Sequence, residues 1–380
     1  MKAAGSQDRG HGLYGEGRRS NCEVLVIGAG PAGGAAALAA AQAGADVIVI
    51  DRRQRIGIPV RCAGFLPAAA ISAASLPDGV ISQKIRSMLS ITPDGHSEEC
   101  SSPGFMVRRE RLDQALIAAA SAAGARVFTG VRAISREPVQ NLIPGVRSHV
   151  RVGLAGGSRQ IEAGIIIGAD GPLSAAGAWT GNVNSAFLTA AQWTVPLRDE
   201  STTIRIYFDR RLPGGYGWLF PRGKEAVAGV GVETRFGEKP SRALKWFVSG
   251  LAAEGLIRKH PISATAGLIP VGGILANRSK ELLLAGDAAG LCHPLTGAGI
   301  GPALLSGRLA GEAAAAHIRG NPGALTLYSR EIESMMGDAL REATLNRRQM
   351  YRNSGGSVSE FCETVRQYWF GFSRNILDKT

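Results

Sequence analysis

Patterned cysteine is the first thing this sequence lacks. Its five cysteines (Cys22, Cys62, Cys100, Cys292 and Cys362) are scattered, with no CxxC pair among them. Such spacing excludes a four-cysteine zinc site and an iron–sulfur cluster. An odd, dispersed set also argues against a disulfide framework and for a reducing, cytoplasmic setting. Charge is sparse at 19% and aromatics sparser at 6%, yet 45% of the residues are hydrophobic. That balance rules out a disordered or collagen-like chain. No apolar segment opens the chain, so residues 1–21 read as a flexible polar tail rather than a secretory signal. Uninterrupted apolar runs are missing too. Val24–Ala45 and Ala288–Gly307 contain no Asp, Glu, Lys or Arg, but proline and glycine clusters break both. Neither is hydrophobic enough to read as a membrane span.

Glycine and positive charge are in excess. There are 51 glycines, a number that suggests backbone passing close to backbone or ligand. Lys and Arg total 43 against 31 Asp and Glu, a net charge of +12, which favours an anionic partner or membrane surface. Nucleic acid is not expected, because net charge alone would support it. At 380 residues the chain is long enough for two domains.

The strongest local signal is Gly28-Ala29-Gly30-Pro31-Ala32-Gly33, placed after a strand pattern (Glu23–Ile27) and opening an Ala-rich helix (Pro31–Ala43). Gly28 permits the tight turn, Gly30 lets backbone approach a pyrophosphate, and Gly33 allows close helix–strand packing. The helix N-terminus presents unpaired N–H groups to the phosphates. A second strand, Asp46–Ile50, leads to Asp51, placed to bond the adenosine ribose, with Arg52 beside it. That acid argues against NADP.

A second glycine-rich constellation decides between NAD and FAD. Gly286-Asp287 follows the strand pattern Leu282–Ala285, and Gly297-Ala298-Gly299-Ile300 opens the long helix Gly299–His317. Asp287 is suited to accept hydrogen bonds from a ribityl chain, and the helix start to donate to a phosphate and a flavin edge. Together with Arg109-Glu110-Arg111-Leu112-Asp113 and Gly168-Ala169-Asp170-Gly171, this resembles the FAD-binding pattern of the p-hydroxybenzoate-hydroxylase-like superfamily across about residues 22–320. The likeness departs at one point: Ser174 is present, but Gly177 stands where the superfamily pattern has an arginine.

Leu212-Pro213-Gly214-Gly215-Tyr216-Gly217-Trp218-Leu219-Phe220-Pro221 fits P-x-x-Y-x-W-x-F-P and resembles the substrate-domain signature of the geranylgeranyl reductase family. By strand alternation Tyr216, Trp218 and Phe220 face one side, suited to wall an apolar substrate cavity. Arg61-Cys62-Ala63-Gly64 resembles that family's arginine–cysteine–glycine segment, in which the cysteine approaches the active site. Ala63 and Phe65 point to a remodelled pocket.

The resemblance implies an α/β protein: a Rossmann-like, glutathione-reductase-type FAD domain with an inserted β-sheet substrate domain and a helical C-terminal region. The expected division is 22–61, 104–175 and 276–320 for the discontinuous FAD domain, 62–103 and 176–275 for the substrate domain, and 321–380 for the helical region. Implied too is saturation of isoprenoid C=C bonds by hydride from FAD. An isolated alkene also needs a proton, and Cys62, Tyr216 and His293 are the candidate donors. The external reductant is NADPH, ferredoxin or reduced quinone; no second GxGxxG follows a strand pattern and opens a helix to choose between them. Alternatives on the same scaffold are an FAD monooxygenase or halogenase, and a flavin–quinone electron carrier. Only one of the paired halogenase tryptophans is present, and Lys84 is the only lysine between 50 and 200.

Arg341, Arg347, Arg348 and Arg352 concentrate charge before the aromatic segment Tyr368-Trp369-Phe370-Gly371-Phe372, which Arg366 and Arg374 flank. Two readings follow. The aromatics dock on the protein body, or they dip into the inner face of a membrane as a peripheral contact.

Overall fold

The computed structural model describes residues 20–70, 76–139, 147–155, 157–352 and 356–372. Two eight-stranded sheets organise them. In the first, β1 (Ser20–Ile27) lies between β2 (Val47–Asp51) and β9 (Gly157–Gly168), all parallel, with Val24 opposite both Val47 and Ile165. β6 (Arg126–Thr129) extends the sheet beside β2, and β16 (Leu282–Leu284) extends it beside β9. β15 (Arg278–Ser279) pairs antiparallel with β16, and β7 (Arg132–Pro138) and β8 (Ser148–Leu154) form a hairpin joined to β9. β2 reads Val-Ile-Val-Ile-Asp and is buried along its whole length, as a parallel strand covered on both faces must be. Each such aliphatic side chain contributes about 1.5–3 kcal/mol by leaving water.

β1 begins at Ser20, so Ser20 and Asn21, expected in the tail, are part of the sheet; residues 1–19 lie outside the described residues.

Helix α1 (Pro31–Gln42) and helix α5 (Ile300–Ile318) pack directly against each other. The contact depends on small residues. A Cβ on Gly307 would overlap the Ala32 carbonyl oxygen, and one on Gly311 the Ala36 carbonyl oxygen. α2 (Arg109–Ala122) packs on the other side of α1, where Leu116 fills the space beside Gly34. The short helix α3 (Ala175–Ala178) follows β9.

The second sheet contains β3 (Phe65–Pro67), β4 (Ile81–Ile91), β5 (Ser97–Val107), β10 (Phe187–Pro196), β11 (Thr203–Tyr207), β12 (Gly217–Arg222), β13 (Glu225–Val232) and β14 (Ser263–Pro270). Its order is β14-β10-β13-β12-β11-β4-β5-β3, mostly antiparallel, with β11 parallel to β4. β5 carries this sheet to Val107, past the boundary expected at 104. One face packs on α4 (Pro240–Ala253) through Leu219, Val230, Val232, Leu244 and Phe247. The other face carries Tyr216 and Trp218, and the C-terminal helices close over it.

Those helices are α6 (Ala324–Ile332), α7 (Asp338–Arg352) and α8 (Val358–Tyr368), with one π-helical turn, Glu333–Gly337, between the first two. α8 starts with a capping box: Ser357 accepts from the Glu360 amide at 3.2 Å, and Glu360 accepts from the Ser357 amide at 2.7 Å. The aromatic segment after it docks on the body. Trp369 is 2% exposed and donates from Nε1 to Ser90 Oγ at 2.9 Å, and Phe372 lies 5.8 Å from the His96 ring. Only Phe370 of the three is exposed. Arg374 lies outside the described residues. Among the described residues no helix is long and apolar enough to cross a membrane.

Candidate active site

The turn after β1 is built from glycine for reasons visible in the backbone. Gly28 has φ +101° and donates to the Ile50 carbonyl at 2.8 Å, and a Cβ there would overlap Ala169. A Cβ on Gly33 would overlap the Gly28 carbonyl oxygen, which is how α1 comes so near the strand. Gly30 differs, because a Cβ there meets no atom within 4 Å. Its extended conformation (φ −82°, ψ −169°) would suit alanine as well. The open space in front of Gly30 is therefore at the first turn of α1, which has no side-chain cap and no acidic residue. Such a terminus is built to receive an anion.

α5 begins in the same way, at Gly299, uncapped and without an acid in its first turn. Gly286 (φ +60°) sits between the two helix starts, its Cβ direction 3.0 Å from Ala32 and 3.3 Å from Ala303. Its amide donates to Ser306 Oγ at 2.9 Å. The next residue, Asp287, is thereby held between both termini, with Oδ1 3.2 Å from where a Gly299 Cβ would stand. Burial pushes the Asp287 carboxyl from 3.8 up to about 6, with Arg109 opposing. Its backbone carbonyl is occupied, accepting from Asn184 Nδ2 at 2.8 Å.

Around Asp287 lie Arg109, Cys62 and Cys292. Arg109 Nε and Nη2 donate to Asp113 Oδ1 and Oδ2 at 3.2 and 3.1 Å, and its guanidinium also meets the Cys62 thiol. Burial opposes its charge, but Asp113 and Cys62 outweigh that and raise its pKa. Burial also pushes the Cys292 thiol far up, with Asp287 and Cys62 adding to it, so Cys292 keeps its proton. The Cys62 carbonyl accepts from Gln192 Nε2 at 3.3 Å, tying this loop to β10.

Tyr216 meets the 292–298 loop from the second sheet: its hydroxyl donates to the Thr296 carbonyl. Burial, then nearby Tyr351 and Cys292, raise its pKa, so the phenol stays protonated. Trp218 and Phe220 continue the row, with ring centroids 6.1 Å (Tyr216–Trp218) and 6.5 Å (Trp218–Phe220) apart. Gly229 on β13 leaves room for the Trp218 ring, which a Cβ would strike. The Trp218 indole N–H is buried and finds no acceptor among the described residues. His293 lies on the loop before Pro294; its Nδ1 accepts from the Thr296 amide at 3.3 Å, and burial lowers its pKa. A neutral imidazole bonded in this way orders the loop.

Not every expected residue faces this centre. Arg52 is exposed; it is Arg53 that grips Asp51, through Nε at 3.0 Å and Nη2 at 2.8 Å. Burial would raise the Asp51 pKa, but Arg53 and the Ala29 amide, 2.8 Å away, bring it below its usual value. Asp170 turns inward: Ser174 Oγ donates to Oδ1 and the Ala175 amide to Oδ2 at 2.7 Å, so it closes the start of α3. Where the superfamily arginine was expected, a Cβ on Gly177 would strike the Asn182 carbonyl. Arg61 is exposed and lies against Gly267 of β14. Arg53 and Gln192 were not foreseen. Of these only Arg53, two residues from the acid, carried a local signal.

The uncapped helix starts, the open space at Gly30 and the carboxylate between them fit a dinucleotide with a ribityl segment. A match to the FAD binding domain model spans residues 21–195. Digeranylgeranylglycerophospholipid reductase 1 of Methanopyrus kandleri is 36% identical over 305 residues, covering 77% of this chain and 80% of that protein. The digeranylgeranylglycerophospholipid reductase of Methanocella arvoryzae is 33% identical, covering 85% of both. Among solved structures, a geranylgeranyl bacteriochlorophyll reductase-like protein from Thermoplasma acidophilum superposes with TM-score 0.79 at 22% identity, over 93% of this chain and 97% of that one. The flavin-dependent halogenase CmlS shares the fold at TM-score 0.68 and 19% identity, over 92% of this chain and 68% of that one. With its cofactor cradle and its aromatic row on these elements, the chain belongs to the geranylgeranyl reductase family of FAD-dependent oxidoreductases.

Proposed function

We propose that this enzyme saturates carbon–carbon double bonds of an isoprenoid chain, of the kind named in the digeranylgeranylglycerophospholipid reductases it resembles. One observation carries the reading: the row Tyr216–Trp218–Phe220 starts at the flavin-side loop, where Tyr216 bonds Thr296, and runs outward along one face of the second sheet. Such a wall suits a long, flexible, apolar ligand laid end-on toward the flavin.

On this reading Gly28, Gly30, Pro31, Ala32, Gly33 and Asp51 bind the adenosine and pyrophosphate end of FAD. Arg109, Asp287 and Gly297–Ile300 bind its ribityl and ring end. Held by these residues and reduced, FAD would supply the hydride for one alkene carbon. Cys62, whose thiol meets the Arg109 guanidinium, gives its proton to the other carbon and recovers one from solvent. Tyr216 and His293 act by fixing the 292–298 loop, Tyr216 through the Thr296 carbonyl and His293 through the Thr296 amide. The buried aromatic wall excludes water from the reacting carbons. We propose the domain division on the same basis, with the second sheet as the substrate-holding unit.

The test is anaerobic reduction of the purified flavoprotein with dithionite, followed by geranylgeranyl lipids and product mass. A gain of two hydrogens per reduced double bond is the expected result. Oxygen-dependent hydroxylation or halogenation, or quinone reduction with the prenyl chain unchanged, would overturn it in favour of the alternatives on this scaffold.

A further inference from the structure

The aromatic row does not end at Phe220. By strand alternation the next residue on that face is Arg222, whereas Leu219 and Pro221 line a separate cleft on the opposite side. Arg222 opens into a cleft of about 400 Å³, formed with Ser82, Arg108, Glu110, Gly223, Lys224 and Glu225. Three basic and two acidic side chains therefore share it. The one ion pair within it, Arg222 Nη2 to Glu225 Oε2, is long at 3.5 Å and partly exposed. One contact joins the cleft to the apolar wall, Ser82 Oγ donating to the Met106 carbonyl at 2.9 Å, and within the wall Phe220 packs edge-on against Phe65 at 6.1 Å. The turn is fixed from below, since the Gly223 amide donates to Gln83 Oε1. From Tyr216 to Arg222 the strand covers roughly 20 Å at about 3.3 Å per residue. An extended geranylgeranyl chain is of the same order.

We propose that this cleft binds the phosphate of a prenyl substrate, Arg222, Lys224 and Arg108 holding the anion while the chain runs along Phe220 and Trp218 toward Tyr216. The proposal rests on the isoprenoid reading above and gives it a polarity: the charged head lies at the mouth, and the double bonds remote from it lie at the flavin. The phosphate is that of a prenyl diphosphate or of a prenylated glycerophospholipid, and the two are separated by the ligands used.

Binding is read by intrinsic tryptophan fluorescence, with Trp218 on the proposed path of the chain, and does not require turnover. Geranylgeraniol, geranylgeranyl diphosphate and digeranylgeranylglyceryl phosphate are compared on the unsubstituted holoenzyme and on Arg222→Gln/Lys224→Gln. Either phosphate should bind at least about tenfold more tightly than the alcohol, the scale of one charge-assisted hydrogen bond, and the advantage should shrink at high salt. The double variant should lose that advantage and bind the alcohol as the unsubstituted enzyme does. Arg108→Gln, on a different element, should do the same to a smaller degree. Whichever phosphate binds more tightly identifies its source. Equal affinity for alcohol and phosphate overturns the proposal, as does an equal loss for all three ligands or competition by inorganic pyrophosphate as strong as by the prenyl phosphate. Phosphate-dependent binding without double-bond reduction would count against the reaction alone; reduction without phosphate dependence would count against the cleft alone.

Discussion

Arg347 on α7 donates from Nη2 to Glu233 Oε1 at 2.7 Å and to the Gly214 carbonyl, both at the foot of the strand that carries Tyr216. Tyr351, one turn on, donates to the Gly215 carbonyl at 3.0 Å, and the Trp369 ring lies 5.6 Å from that of Tyr216. The C-terminal helices thus grip the segment Gly214–Tyr216 from three points. Arg347 is nearly buried, so removing Glu233 strands its charge, whereas Glu233 keeps a second partner in Arg235 when Arg347 is removed. Glu233→Gln should destabilise the protein by about 3–5 kcal/mol, and Arg347→Met by less. The two together should cost less than the sum, as a double-mutant cycle in urea would measure. Additive losses would mean that the pair does not act as a unit.

Gly30 and Gly307 make opposite predictions from the same substitution. A methyl group on Gly307 strikes the Ala32 carbonyl, so Gly307→Ala should separate α1 from α5, lower Tm, and weaken FAD binding along with it. The cost should be about 1–3 kcal/mol, as for overpacking elsewhere. A methyl group on Gly30 meets nothing in the protein. Gly30→Ala should leave the apoprotein Tm unchanged and reduce FAD affinity alone, because its methyl occupies the space reserved for the pyrophosphate. Calorimetry of the apoproteins and flavin titration would separate the two.

Both glycine clusters could be read from the sequence because their chemistry is local. A tight turn, a close approach and a helix start lie within a few residues of one another, and β2 and β9 announce themselves as continuous apolar runs. The β4–β5 hairpin could not be read this way. Ile81–Ile91 shows no clean alternation, and its partner β11 is more than a hundred residues away. The grip of α7 on Gly214 and Glu233 was likewise invisible, since an arginine-rich helix end looks the same whether its charges face water or a carboxylate. The aromatic segment after α8 left docking and membrane contact open until Ser90 and Phe208 were seen to receive Trp369. Arg52 and Arg53 are alike in sequence, and side-chain direction alone decides which one reaches Asp51.

The carboxyl of Asp287 gives a pH signature. Its pKa is raised from 3.8 to about 6 by burial, so the folded apoprotein holds this proton more tightly than the unfolded chain. The sign follows from linkage: below pH 4 both states are protonated and there is no penalty. Between 4 and 6 the unfolded chain ionises first, and folding loses stability as pH rises. Above 6 the penalty is complete. Asp287→Asn should therefore raise the Tm of the apoprotein at pH 7.5 and leave it almost unchanged at pH 4. The same variant should bind FAD more weakly, the neutral amide being a poorer acceptor than the carboxylate for the ribityl hydroxyls proposed to bind there. A gain in Tm equal at both pH values would remove burial of the charge as the cause.

Cys62 and Tyr216 are both candidates for the proposed proton donor, but their surroundings differ. The Tyr216 hydroxyl is committed to the Thr296 carbonyl, and burial holds its proton firmly. The Cys62 thiol lies beside the Arg109 guanidinium and is only partly buried, so solvent can reach it to replace a proton. Cys62→Ala should keep a normal flavin spectrum and lower kcat by about 10²–10⁴-fold, the range of a lost general acid. Tyr216→Phe removes one hydrogen bond and should cost about 1 kcal/mol of stability, with a smaller effect on kcat. Stopped-flow oxidation of the reduced flavin by a geranylgeranyl substrate, followed in H₂O and D₂O, would show which proton moves. The solvent isotope effect should persist in Tyr216→Phe. If instead Tyr216→Phe abolishes flavin oxidation while Cys62→Ala retains it, the donor is the phenol, and Cys62 serves only to seat Arg109.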